Sequence, residues 1–201
     1  MSVASALCPQ RLSDDQLLER YTAGNRQVLE ELFDRYRLAA YRVAQRLLGN
    51  EADALDAVQE GFVKALSHLD GFQGRSSFKT WLFRVVSNAA LDLGRARSRR
   101  ECLSLDSPRD DENELRQPTV SEDPAWGLER ADLRRLLDEA LAQLPDAQQR
   151  TFVLHADGGL SYREVAEVLN ISIGTVMSRL FYARQKLRGW LATRLPDGVL
   201  S

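Results

Sequence analysis

Cysteine is nearly missing from this 201-residue chain: Cys8 and Cys102 are the only two. Neither sits at a metal-binding spacing or begins a disulfide framework, so both read as ordinary reduced thiols. Histidine is as scarce, with only His68 and His155. His68 near a helix end reads as a capping or surface residue, and His155 before a glycine turn as a structural one. There is no His–carboxylate metal spacing, no phosphate loop and no nucleophile elbow. No metal, no cofactor, no small-molecule substrate and no intrinsic catalysis are therefore expected. No apolar run approaches the ~18 residues of a membrane helix. Residues Met1–Leu7 lack the charged start and apolar stretch of a signal peptide. These absences lead to the expectation of a cytoplasmic protein without membrane insertion. Glycine and proline are sparse, at 12 and 6, and aromatics make up 7%, which favours helices over a β-sandwich.

The charge is well supplied but unevenly spread. The formal net charge is −2, which by itself says nothing of nucleic acid. Residues 1–100 hold 15 basic and 12 acidic side chains, residues 101–128 hold 2 and 8, and residues 129–201 hold 10 and 9. An acidic middle thus separates two weakly basic ends, a distribution that points to polyanionic partners.

Apolar residues recur three and four apart along the first half, the helical period. Leu17, Leu18 and Tyr21 lead to Val28, Leu29, Leu32, Phe33 and Tyr36, then to Ala40, Val43, Ala44, Leu47 and Leu48. Gly24-Asn25 and Gly49-Asn50 interrupt the pattern. A further helix is expected from about Ala52 to Leu69, with Ala54, Ala57, Val58, Phe62, Ala65, Leu66 and Leu69 on its inner face. After a loop bracketed by Gly71 and Gly74, a helix capped by Ser76 or Ser77 turns Phe78, Trp81, Leu82, Val85 and Ala89 inward and ends in the basic stretch Gly94–Arg100. Glu101–Pro124 is acidic, carries three prolines and lacks periodicity, as expected of a linker that is flexible in the free protein. A second domain begins near Trp126 with an amphipathic helix stopped by Pro145, followed by a helix over about 146–156. The expected fold is all-α: two small helical domains joined by a flexible acidic linker.

Three constellations carry function. Ser161 and Glu164 form a capping box at a helix start, and Asn170-Ile171-Ser172 turns the chain into a second helix through about Leu187. This is a helix-turn-helix, whose second helix enters the major groove. That helix exposes Thr175, Ser178, Arg179, Tyr182 and Arg184, and residues 171–194 contain five basic side chains and no acid. In a second constellation, Asp53, Asp56 and Glu60 lie three and four apart on one helix face: a solvated acidic face or a protein-docking surface. The third, Phe72–Asn88, interleaves aromatic, polar and basic residues around Gly74, a surface suited to unstacked single-stranded bases. Phe78 and Trp81 fit the helix period as core residues. Phe72, Arg75, Ser76 and Asn88 are the candidates for binding.

In the order Asp53–Ala65, Phe72–Asn88 and Leu160–Leu187, these motifs resemble the extracytoplasmic-function group of the sigma-70 family over about residues 13–190. The resemblance implies an alternative sigma factor that binds core RNA polymerase, melts promoter DNA and reads an upstream duplex element. It assigns residues 10–100 to region 2, 101–125 to the linker, 126–192 to region 4 and 193–201 to a tail. Asp53, Asp56, Gln59 and Glu60 would grip the clamp of the largest polymerase subunit. Phe72, Arg75, Ser76, Ser77 and Asn88 would hold single-stranded minus-ten bases, one of them flipped, so that strand capture offsets the few kcal/mol of extruding a base. Thr175, Ser178, Arg179, Phe181, Tyr182 and Arg184 would face the minus-thirty-five duplex. An anti-sigma factor is an expected partner. The chain departs from the family pattern at Met177 and Tyr182, where basic residues are common, at Gly61, where a larger residue is usual, and at Asp92. Fewer Arg–guanine contacts imply an altered upstream element. The alternative is a stand-alone helix-turn-helix regulator, which would bind duplex DNA without polymerase and leave the Phe72–Asn88 surface unexplained.

Overall fold

The computed structural model describes residues 11–103 and 135–194, and every regular element among them is helical. The elements are α1 (Asp14–Thr22), α2 (Val28–Leu48), α3 (Glu51–His68), a 3-10 turn (Leu69–Gly71) and α4 (Phe78–Leu103), then α5 (135–142), α6 (Asp146–Ala156), α7 (Tyr162–Leu169) and α8 (Ile173–Ala192). The first three residues of the expected linker, 101–103, belong to α4; the rest of it, its flanking residues up to 134, Cys8 and most of the tail lie outside the described residues.

Local chemistry sets the boundaries. Ser13 and Gln16 close a capping box on α1. Gly49 ends α2 at φ 67, and Asn50 begins α3 by accepting from the Asp53 N–H at 3.1 Å. One Gly-Asn pair therefore both stops and starts a helix. Ser77, rather than Ser76, accepts from the Thr80 N–H at 3.1 Å at the start of α4. That helix runs past the expected end to Leu103. Its basic stretch contains no breaker strong enough to stop it, and Arg97 pairs with Asp53 of α3 at 2.8 Å. Similarly, α8 continues beyond Leu187 to Ala192 because Trp190 and Leu191 pack on the second core.

Two cores form. The first joins α1–α4 through residues such as Leu17, Leu32, Phe33, Ala57, Phe78 and Leu82. The second joins α5–α8 through Leu141, Leu154, Leu160, Val165, Val176 and Leu180. Val43 of α2 and Phe83 of α4 belong by sequence to the first unit but are fully buried in the second core. One expected core residue is corrected: Leu66 is 44% exposed, because α3 turns that side away from its neighbours.

Gly61 lies at a close approach of α3 to α4, since a Cβ there would stand 2.9 Å from Val86 Cγ2 and 3.0 Å from Val86 Cα. Gly61→Ala should therefore destabilise the protein. Overpacking costs about 1–3 kcal/mol, against a gain of about 1 kcal/mol in helix propensity. Gly189→Ala, with open space around it, should gain that propensity alone. Paired thermal melts check the opposite signs.

Candidate nucleic-acid and protein interfaces

The α7–α8 pair is built from its caps. Ser161 Oγ accepts from the Glu164 N–H at 3.3 Å, and Glu164 Oε2 accepts from the Ser161 N–H at 2.8 Å. Asn170 takes the left-handed conformation at φ 52, which asparagine tolerates better than most residues. The Ile171 N–H then donates to the Ala166 carbonyl at 3.0 Å, and Ser172 caps α8 by accepting from the Thr175 N–H at 3.0 Å. Val176, Leu180, Ala183 and Leu187 turn inward. Ser178, Phe181, Tyr182 and Arg184 are exposed on the outer side, with Thr175 and Arg179 half-exposed at its margins. Arg184 donates to the Tyr162 hydroxyl at 3.2 Å, tying α8 to α7.

Around Gly74, at φ 66, Arg75 and Ser77 are exposed and Ser76 is half-exposed. Phe72 is not a free ring. It is half-buried, with its centroid 5.2 Å from Trp81 and 6.2 Å from Phe78, and forms the outer member of an aromatic cluster. Phe78 is buried as expected, and Trp81 packs on the core from a half-buried position. Asn88 is exposed on α4, one helical turn beyond the exposed Arg84.

On α3, Asp56, Gln59 and Glu60 are exposed, whereas Asp53 is half-buried in its ion pair with Arg97. Lys64 pairs with Glu60 at 2.6 Å, and that hydrogen bond raises its pKa. Leu55, Val63 and Leu66 are also exposed here. The acidic face thus carries an apolar row beside it, the mixture found at protein interfaces. The pattern of i, i+4, i+8 and i+11 over Leu55, Gln59, Val63 and Leu66 was visible in the sequence, but period alone did not say which row α4 would cover.

A fourth feature escapes sequence reasoning altogether: a seam between the two units. Lys79 Nζ donates to the Gly159 carbonyl, Arg84 Nη2 to the Glu167 carbonyl at 2.6 Å, and Gln149 Nε2 to the Arg46 carbonyl at 3.1 Å. Arg46 also pairs with Asp138. The Glu164 carboxylate, already engaged in capping α7, accepts from the Thr80 hydroxyl at 3.2 Å and the Ser77 hydroxyl at 3.4 Å. Ser77, a candidate for strand binding, is therefore held by the second unit.

Burial alone would raise the Glu164 pKa, but the Ser161 N–H and hydroxyl, the Lys79 charge and the Thr80 hydroxyl together bring it below the usual value. A group lowered in this way stabilises the folded state fully above its unfolded pKa, and the contribution disappears as pH falls through the folded one. Asp157, whose pKa is raised by burial despite Arg46, works in the opposite direction. From about pH 5 down to about pH 3, the melting temperature of the native chain should fall more than that of Glu164→Gln; parallel curves would mean that the carboxylate contributes nothing.

No group of His, Cys, Asp and Glu that could hold a metal occurs among the described residues, and no described helix is long and apolar enough to cross a membrane.

The comparisons with known proteins bear on these surfaces. The family model for sigma-70 region 2 matches residues 32–100 and that for sigma-70 region 4 matches residues 134–187. The ECF RNA polymerase sigma-E factor of Haemophilus influenzae is 31% identical over 183 residues, covering 89% of this chain and 95% of that one. Its counterpart of the same description from Escherichia coli (strain K12) is 32% identical over 180 residues, with 89% and 94% covered. Among solved structures, CnrH in complex with the cytosolic domain of CnrY aligns with a TM-score of 0.66 at 28% identity, over 89% of this chain and 97% of that one. The sigma factor RpoE in complex with the anti-sigma factor NepR, from Bartonella quintana, aligns at 0.65 and 25%, over 83% and 98%.

Proposed function

Because the chain belongs to the extracytoplasmic-function group of the sigma-70 family, it is an alternative sigma factor that binds core RNA polymerase and directs promoter-specific initiation, and we propose how its surfaces divide that work. Residues 10–100 act as region 2 and residues 126–192 as region 4, with 101–125 as an acidic spacer and 193–201 as a tail. The exposed row of Asp56, Gln59 and Glu60 beside Leu55 and Val63 docks on the polymerase clamp, with Asp53 holding α4 in place behind it. Phe72, Arg75, Ser76, Ser77 and Asn88 take the opened minus-ten strand. Thr175, Ser178, Arg179, Phe181, Tyr182 and Arg184 face the upstream duplex. The observation that carries this reading is the conjunction, in one chain and in family order, of the acidic docking row, the glycine loop and the capped helix-turn-helix. A stand-alone helix-turn-helix regulator would leave region 2 without a role.

The protein contributes binding rather than chemistry: core polymerase makes the RNA, and the sigma factor works beside it in the cytoplasm. Ser77 is engaged by Glu164 across the seam, so strand capture requires the two units to part. An anti-sigma factor that favours the closed pair would keep this chain inactive, a role suggested by its likeness to RpoE, solved with the anti-sigma factor NepR.

Transcription in vitro, with core enzyme and the purified chain on a randomised promoter library, tests the reading: initiation only when the chain is present is the expected result, and none at all would overturn it. On a promoter so obtained, Asn88→Ala should reduce open-complex formation about two- to tenfold, the worth of one lost hydrogen bond, without altering core binding. Equal loss of both would remove Asn88 from the strand-binding set.

A further inference from the structure

The exposed side of α8 is not uniform along its length. Met177, Phe181 and Tyr182 are 55%, 63% and 56% exposed. The Phe181 and Tyr182 rings meet edge to face with centroids 5.4 Å apart, and Met177 lies one turn before Phe181. They form an apolar ridge pointing away from the buried Val176, Leu180, Ala183 and Leu187. Beyond the ridge the helix becomes basic, with Arg184 and Arg188 continuing the side of Met177 and Phe181 and Lys186 projecting on the flank past Tyr182, all three exposed. Within the ridge the only guanidinium is Arg179, half-exposed at the margin.

In a helix-turn-helix the early residues of the second helix reach base edges, and basic side chains elsewhere engage phosphates. Here the exposed early residues include the apolar Ile173 and Met177 beside the small polar Ser178, and the apolar surface continues through Phe181 and Tyr182 in the middle of the helix. Guanine is read in the major groove by Arg or Lys, whereas thymine alone presents a methyl group that apolar side chains can match. A duplex partner is favoured over an apolar protein surface by the one-signed charge: residues 171–194 hold five basic side chains and no acid.

We propose that α8 reads its upstream element mainly through thymine 5-methyl groups, at two or more positions on either strand, touched by Met177, Phe181 and Tyr182, while Arg184, Lys186 and Arg188 hold the phosphates. This rests on the assignment of α7–α8 as the upstream reader and adds to it the chemistry of the element.

Deoxyuridine in place of thymidine removes only the methyl group. A promoter selected by the reconstituted holoenzyme from a library randomised in the upstream element should contain thymines there. Replacing each contacted thymine with deoxyuridine should weaken promoter binding about fourfold, the worth of one buried carbon. In holoenzyme carrying Met177→Ala with Tyr182→Ala, both exposed and checked for folding by circular dichroism, the same replacement should have little effect. Tyr182→Arg should move the selected element toward guanine. A selected element without thymine, or native holoenzyme indifferent to deoxyuridine, overturns the proposal while leaving the sigma assignment intact. Failure to initiate on any library member, or selection with no upstream preference, would instead overturn the upstream-reader assignment beneath it.

Discussion

A chain carrying Phe83→Ala is expected to come apart along the seam between its two units rather than unfold. Phe83 leaves α4 at the flank of the face that also carries Val86 and Ala90 of the first core, and is fully buried in the second. Its ring meets Tyr36 edge to face, with centroids 6.3 Å apart, and reaches Gly158, where an added Cβ would lie 3.3 Å from it. Truncating a buried phenylalanine costs about 3–5 kcal/mol, and at about 1.4 kcal/mol per decade the open fraction should rise by roughly two to three orders of magnitude or more. What would remain across the seam is Val43, with Tyr36, Ala39 and Leu47 packed beside it, and polar contacts such as Arg84 on the Glu167 carbonyl and Ser77 and Thr80 on Glu164, which contribute only about 1 kcal/mol each. The first core loses only the contact through Tyr36 at its edge and keeps its buried members. Small-angle scattering should therefore show a larger radius of gyration while helical circular dichroism is retained. A single melt at lower temperature with unchanged dimensions would show that the two units are one fused core, and would refute the seam.

Reversing Asp56 and Glu60 together, as Asp56→Lys with Glu60→Lys, should abolish tight association with core polymerase while sparing the fold. Both carboxylates are exposed. The Glu60–Lys64 pair is an i,i+4 surface pair, worth about 0.3–0.5 kcal/mol to folding, so the melting temperature should barely move. At a docking surface, by contrast, like charges brought together cost several kcal/mol and slow encounter. Binding of the labelled chain to core enzyme, followed by anisotropy, should weaken at least tenfold, by about 1.4 kcal/mol or more, and most strongly at low salt, where attraction between the native surfaces is least screened. Unchanged binding would mean that the acidic row is only solvated.

Much of the fold was legible because it is local. The Gly49-Asn50 break, the Ser161–Glu164 capping box and the Asn170 turn involve groups within a few residues of one another, and each works through its own side chain and the adjacent backbone. The candidate binding residues were legible for a different reason. Asn88, Ser178 and Tyr182 sit on helix faces that the apolar period leaves outward. Phe72 was less readable, because an aromatic residue in a loop gives no sign of whether its ring will lean on Trp81 or stand free. Leu66 misled because a helix period identifies a face but not how far along it a neighbour extends.

By itself, the amino-acid sequence determined the helical class, the caps, the one-signed charge of the reading helix and the family motifs, since each is encoded by neighbours three or four residues apart. Only the tertiary structure decided that Thr80 meets Glu164 across 84 residues of chain, that Phe83 and Val43 serve the opposite core, and that Gly61 is required by Val86. Those outcomes depend on how two helical units approach one another, and a periodic pattern fixes which side of a helix is apolar without fixing what will cover it.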